Sequence, residues 1–219
     1  MTRTLAVANQ KGGVAKTTTV ASLGAALVEL GKRVLLVDLD PQSCLTFSLG
    51  IDPEDLDTSI HQVLLGEDKV GNVVVTVADG PDLLPATIDL ATTEVRLLTQ
   101  TGREQALRVA LDEVRGDYDW VLLDCPPSLG VLTVAALSAA DLLLVPLQCE
   151  TLSHRGVGQL LDTRARRPPV HQPRPAGPGR AADPLRRSRQ PRPHSARGDL
   201  VLVRPAGAGA ADPAHDPVR

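Results

Sequence analysis

The segment Lys11-Gly-Gly-Val-Ala-Lys-Thr-Thr18 gathers two lysines, two hydroxyls and a run of small residues in one short stretch. Small side chains let successive backbone N–H groups converge on the phosphates of a nucleotide, and a helix opening at the same point adds its partial positive charge. In such a loop Gly12, Gly13, Val14 and Ala15 form the cradle. Lys16 neutralises the transferring phosphoryl group, the Thr17 hydroxyl ligates Mg2+, and Thr18 reaches the α-phosphate. Two acidic segments lie further along, Asp38-Leu-Asp40-Pro41-Gln42 and Leu122-Leu-Asp124-Cys-Pro-Pro127. Phosphoryl transfer needs little covalent chemistry from a protein, so a lysine, a metal site and a group that orients the nucleophile suffice.

The elements around these residues must present them at one edge. Residues 5–9 read as a buried strand, 17–30 as a helix stopped by Gly31, and 33–38 as a continuous apolar run of strand length. Further on, the pattern predicts helices near 59–65, 89–98, 104–114, 131–140 and 156–162. It predicts strands at 73–77, 83–84, 120–124 and 142–147. Strands alternating with helices predict a doubly wound, mostly parallel α/β sheet with helices on both faces. Asp38 and Asp124 would then each end a strand, where ligands bind in open sheets of this kind.

With one Trp, one Tyr and one Phe, the core must be aliphatic. No stretch reaches the roughly 18 uncharged apolar residues of a membrane span, so no membrane partner is expected. Cys44, Cys125 and Cys149 are too scattered for a metal or disulfide framework and read as incidental thiols in a reducing compartment.

The loop opens with a lysine, and Ala15 stands where G-x-x-x-x-G-K-[ST] has its second glycine. In this it resembles the deviant P-loop NTPases of the ParA/MinD group. The three motifs in order resemble the ParA/Soj-type partitioning ATPases over roughly residues 3–163, and Leu83-Leu-Pro-Ala86, the spacing Leu90, Glu94, Leu97, and Asp141-Leu-Leu-Leu-Val-Pro146 add to the likeness. Pro146 reads equally as an adenine-side residue or as an ordinary strand terminator. The resemblance implies ATP and Mg2+ as cofactors and weak, Mg-dependent hydrolysis. It implies that Lys11 crosses a nucleotide-sandwich homodimer to the opposite phosphates, and that Asp40 orients the attacking water. Asp38 would support the magnesium shell, and Asp124 would hold Mg2+ through a water and sense the γ-phosphate. It further implies nonspecific DNA binding, stimulation by a ParB-type centromere-binding protein, a cytoplasmic, nucleoid-associated location and a role in chromosome or plasmid partitioning. If Ala15 must take a positive φ, it costs about 1 kcal/mol relative to glycine.

The chain divides by composition near residue 163. Residues 1–163 carry 11 Lys and Arg against 22 Asp and Glu, whereas 164–219 carry 12 Arg against 4 Asp and hold 11 of the 18 prolines. The first part reads as a P-loop ATPase domain that is incomplete relative to the family. The second reads as a tail too poor in periodic apolar residues to order itself. Synonymous codons for Gln172-Pro-Arg-Pro-Ala-Gly-Pro-Gly-Arg-Ala-Ala182, shifted by one base, permit Asn-Pro-Asp-Leu-Arg-Val-Leu-Gly-Val-Leu, which looks like a further family strand. The reading is therefore a frame slip between about 161 and 171, which the underlying DNA decides. A basic tail would also bind nucleic acid in a salt-dependent way. The runner-up readings are a MinD-like membrane-cycling ATPase, which needs a C-terminal amphipathic helix that these prolines disfavour, and a nucleotide-binding remnant without activity.

Overall fold

A computed structural model of the chain describes residues 2–147, 158–160 and 162–163, and the backbone of 199–203. Its strands are β1 (Arg3–Val7), β2 (Val34–Asp38), β3 (Asp82–Leu84), β4 (Trp120–Asp124), β5 (Leu142–Leu147) and β6 (Asp199–Val203). The helices are α1 (Lys16–Glu29), α2 (Cys44–Ser48), α3 (Ile60–Leu64), α4 (Val70–Val73), α5 (Leu90–Leu98), α6 (Ala106–Asp112) and α7 (Val131–Ala139). The sheet order is β3-β2-β4-β1-β5-β6, parallel except for β6, which runs antiparallel to β5.

Strand alternation divides the core. Ala6, Leu35, Val37, Val121, Leu123, Leu143 and Val145 point to the face covered by α3 and α5 to α7. Leu5, Val7, Val34, Leu36 and Leu122 point to the face covered by α1 and α2. Burial on both faces is why these strands read as unbroken apolar runs. Helix α1 lies close on β2 at Gly24, where an added β-carbon would come within 2.8 Å of Leu36 Cδ2.

Three sequence expectations change. The strand expected at 73–77 shrinks to a single bridge, Val75 to Leu83. Val70 and Val73, three residues apart, are buried together by the helical turn α4 instead. The helix expected at 104–114 is a 3-10 turn, Arg103–Gln105, leading into the shorter α6. The tail, expected to be unstructured, contributes β6 over Asp199–Val203, an apolar run hidden by its Arg- and Pro-rich surroundings. The rest of the tail, the proposed frame slip included, lies outside the described residues. Of the helix expected at 156–162, residues 158–160 and 162–163 are helical, and Leu160 is buried in the larger core.

Candidate nucleotide site

Register brings the acidic motifs together. Asp124 stands opposite both Val7, the last residue of β1, and Asp38, the last residue of β2. The phosphate loop leaves β1 at the same edge. It is tied to the sheet by Asn9, which sequence reasoning passed over. Its side-chain nitrogen donates to the Pro146 carbonyl at 2.6 Å, and its oxygen accepts from the Lys11 N–H at 3.0 Å. Pro146 therefore anchors the loop through its backbone. A polar residue at the end of an apolar strand was the available signal for Asn9.

The loop turns through two left-handed residues, Gly13 at φ 71° and Ala15 at φ 62°. Ala15 is the N-cap of α1, and no side chain caps the helix or places an acid in its first turn. That end is consequently suited to an external anion. Gly12, Gly13, Lys11 and Thr18 are exposed, Val14 is buried and Thr17 is half-buried. Lys16 is buried, with its ammonium directed back at the Lys11 carbonyl, 3.4 Å away.

Asp124 is buried beside Lys16 and Thr17, and neither of its carboxylate oxygens has an aligned hydrogen bond. Burial pushes its pKa up to about 7; the Thr17 hydroxyl and the Lys16 charge oppose that shift, while Asp38 and Asp40 add to it. Two carboxyl oxygens without an aligned hydrogen bond, near a hydroxyl, fit a hydrated magnesium ion, which commonly takes one or two protein ligands and leaves its other positions to water and phosphate. Among the described residues no group of three or more His, Cys, Asp or Glu forms a metal cage.

Asp38 is in a different state. One oxygen accepts from the Thr46 N–H at 2.9 Å and the Thr46 hydroxyl at 2.8 Å, and the other accepts from the Asp40 N–H at 3.0 Å. Burial still raises its pKa to about 6. Its carboxylate is committed to the protein, so any support for a metal shell is indirect. Neither helix α2 nor Thr46 was foreseen. Asp40 is half-exposed, and its Oδ1 accepts from the Gln42 N–H at 3.0 Å. Cys125 is buried, which drives its thiol pKa far up, Cys44 is exposed, and Cys149 lies outside the described residues.

The AAA domain family profile matches residues 2–167. The chain belongs to this family. Within the AAA domain family it is of the ParA/Soj type. It is 45% identical over 164 residues to the sporulation initiation inhibitor protein Soj of Bacillus subtilis, covering 74% of this chain and 65% of that one. It is 49% identical over 164 residues to the chromosome partitioning protein ParA of Caulobacter vibrioides, covering 74% and 61%. A solved structure named cobyrinic acid a,c-diamide synthase, from Mycobacterium smegmatis with bound ADP and magnesium, is 64% identical with a TM-score of 0.72, covering 75% of this chain and 67% of that one. The chain thus spans less than two-thirds of the length of the two curated relatives.

Proposed function

We propose that this chain is a Mg-dependent ATPase of chromosome or plasmid partitioning. In this reading it dimerises around ATP, holds DNA without sequence preference in that state, and is released when a ParB-type partner stimulates hydrolysis. Its setting would be the nucleoid of the cytoplasm. The observation that carries the proposal is the pair of buried Asp124 oxygens, neither with an aligned hydrogen bond, beside Thr17 and Lys16 at the mouth of the loop. Such a carboxylate is costly unless a cation arrives.

The residues divide the work by position. Gly12, Gly13, Val14 and Ala15 offer backbone N–H groups to the phosphates, Lys16 neutralises the γ-phosphate, and Thr18 stands beside the α-phosphate. Thr17 directly, and Asp124 through a water, would hold Mg2+, which when bound draws charge from the phosphate oxygens. Asp40, braced by Asp38 through its N–H, orients the attacking water. Lys11, exposed at the start of the loop, reaches the phosphates of the other subunit. Loss of the γ-phosphate would release the contacts of Lys11, Asp40 and Asp124 together.

The test is calorimetric titration of the chain with Mg-ATP, with Lys16→Ala as control. Mg-dependent binding that the substitution removes supports the reading; no binding by folded wild-type protein overturns it. Comparing the salt dependence of DNA affinity with and without residues 164–219 isolates the tail, because equal slopes would exclude its 12 arginines from DNA contact. A second reading, ATP-driven amidation of a carboxylate, rests on the name of the Mycobacterium smegmatis neighbour. It requires ATP turnover to rise with cobyrinic acid and a nitrogen donor, where the partitioning reading requires a rise with DNA and a ParB-type protein.

A further inference from the structure

Asp38 and Asp40 stand two residues apart and are tied in series. The Asp40 N–H donates to Asp38 Oδ1 at 3.0 Å. Asp40 in turn closes its own turn, its Oδ1 accepting from the Gln42 N–H at 3.0 Å and its carbonyl from the Ser43 N–H at 2.9 Å. Such a turn needs a firm base, because Ser43 is a buried non-glycine residue at φ 53°, a conformation that persists only where its neighbours impose it. The base is Asp38, whose Oδ2 is held by fully buried Thr46, through the N–H at 2.9 Å and the hydroxyl at 2.8 Å. Chemistry fixes the direction of the hydroxyl bond. The Ala86 N–H, 3.0 Å from the Thr46 oxygen, can only donate, so the one hydroxyl proton is left for the carboxylate. Buried Ala86 is itself anchored on both sides: the Pro85 carbonyl accepts from the Ile60 N–H at 2.9 Å, and the Thr87 hydroxyl meets Ser59 Oγ at 3.2 Å. The series therefore runs from the start of α3 to Asp40.

We infer that Thr46 is a positioning residue for Asp40: its hydroxyl, aimed by the Ala86 N–H, locks the Asp38 carboxylate that holds the Asp40 N–H, and so sets the turn from which the Asp40 carboxylate acts. The role of Asp40 in orienting water rests on the ATPase reading above, whereas the hold on its turn does not. Thr46 acts on turnover rather than on nucleotide affinity, because residues 11–18 and not Asp40 cradle the phosphates. Ser keeps the hydroxyl; Val keeps the shape and loses it.

Amide hydrogen exchange in nucleotide-free protein tests the hold. It is read at Asp40, whose N–H bonds Asp38 and not Thr46, as a ratio to the Leu122 amide of β4, which reports global opening. For Thr46→Val that ratio should rise about tenfold, with kcat down about tenfold and Mg-ADP affinity within about twofold of wild type. Thr46→Ser should stay within about twofold of wild type throughout. Tyr118→Phe removes a 2.9 Å bond to Asp82 at the opposite, N-terminal ends of the strands. It lowers stability alone, so its exchange ratio and kcat should stay within about twofold of wild type. Thr46→Cys, whose thiol donates weakly from the same place, should show the changes of Thr46→Val in smaller degree, and it decides the matter if the Val variant does not fold. An unchanged ratio in the variant that lacks the hydroxyl, or an equal rise in Thr46→Ser or Tyr118→Phe, overturns the inference whether or not the wild type binds ATP. A raised ratio with unaltered kcat in a hydrolysing protein overturns the link to turnover. Failure of wild type to bind Mg-ATP would count against the ATPase reading, and the exchange ratio would still decide the hold.

Discussion

Thr46 donates to Asp38 twice, from its backbone nitrogen at 2.9 Å and from its hydroxyl at 2.8 Å, and both bonds end on the same carboxylate oxygen. The Thr46 hydroxyl also accepts from the Ala86 N–H at 3.0 Å. One buried side chain therefore joins the end of β2, helix α2 and the loop after β3. Thr46→Val keeps the shape but leaves the Ala86 N–H without an acceptor and Asp38 short of a donor. The expected loss is about 2–3 kcal/mol, with Thr46→Ser within about 1 kcal/mol of wild type. Urea unfolding of the three proteins measures both. Equal stability of the Val variant would mean that the hydroxyl bonds contribute nothing net.

Ala15 occupies a left-handed conformation at φ 62°, ψ 32° that glycine takes without steric cost. Ala15→Gly removes strain of about 1–2 kcal/mol, but the freer unfolded chain returns about 0.4–1 kcal/mol. The variant should therefore gain up to about 1.5 kcal/mol in stability. If the strain also holds the loop off its phosphate-binding shape, ATP affinity should rise with it. Unfolding midpoints with and without Mg-ATP distinguish a gain in the free protein from a gain in binding. A destabilised Ala15→Gly protein would show that the methyl group packs favourably at this turn.

How much of this site was legible in the sequence depends on how locally each residue is determined. Asp38 and Asp124 could be placed at strand ends because β2 and β4 are continuous apolar runs that stop at an aspartate. The glycine expected at Ala15 raised a positive φ there only as a condition, and the structure meets it at φ 62°. Thr46 and Asn9 could not be assigned, since their partners are fixed only after folding. Asn9 meets a carbonyl 137 residues away, and Thr46 reaches Asp38 only once α2 turns back onto β2. The valines of 70–77 misled for a related reason. Strand-forming side chains went into a helical turn because two of them, spaced for one helix face, found a core to cover.

The raised carboxyls make apo stability depend on pH. Below the ordinary carboxyl value of 3.8, Asp124 is protonated in the folded and unfolded chains alike and carries no penalty. As pH rises the unfolded chain ionises first, so stability falls until pH passes about 7, after which the loss is constant. Asp124→Asn removes this titration. The nucleotide-free variant should be more stable than wild type at about pH 8, by at most about 4 kcal/mol, and the difference should shrink toward about pH 4.5. Thermal unfolding in chelator across that range tests it. A difference independent of pH would show that Asp124 is not held protonated. Added Mg-ATP should reverse the order at high pH, stabilising wild type and leaving the variant behind.

Strand β6 bears on whether the arginine-rich tail has any structural part. It pairs antiparallel with β5 over Leu143 to Leu147 and covers an edge that would otherwise present unpaired backbone groups. An uncovered edge strand invites pairing with another chain. If β6 protects β5, a chain ending at residue 198 should aggregate at concentrations where the full chain stays monodisperse, and its cooperative unfolding should weaken. Light scattering and urea unfolding of the two chains provide the comparison. The mere shedding of an out-of-frame tail predicts the opposite, a shortened chain as well behaved as the full one. Replacing 164–198 by a flexible linker of equal length while keeping 199–203 separates the two, because only edge protection predicts that this chain remains soluble.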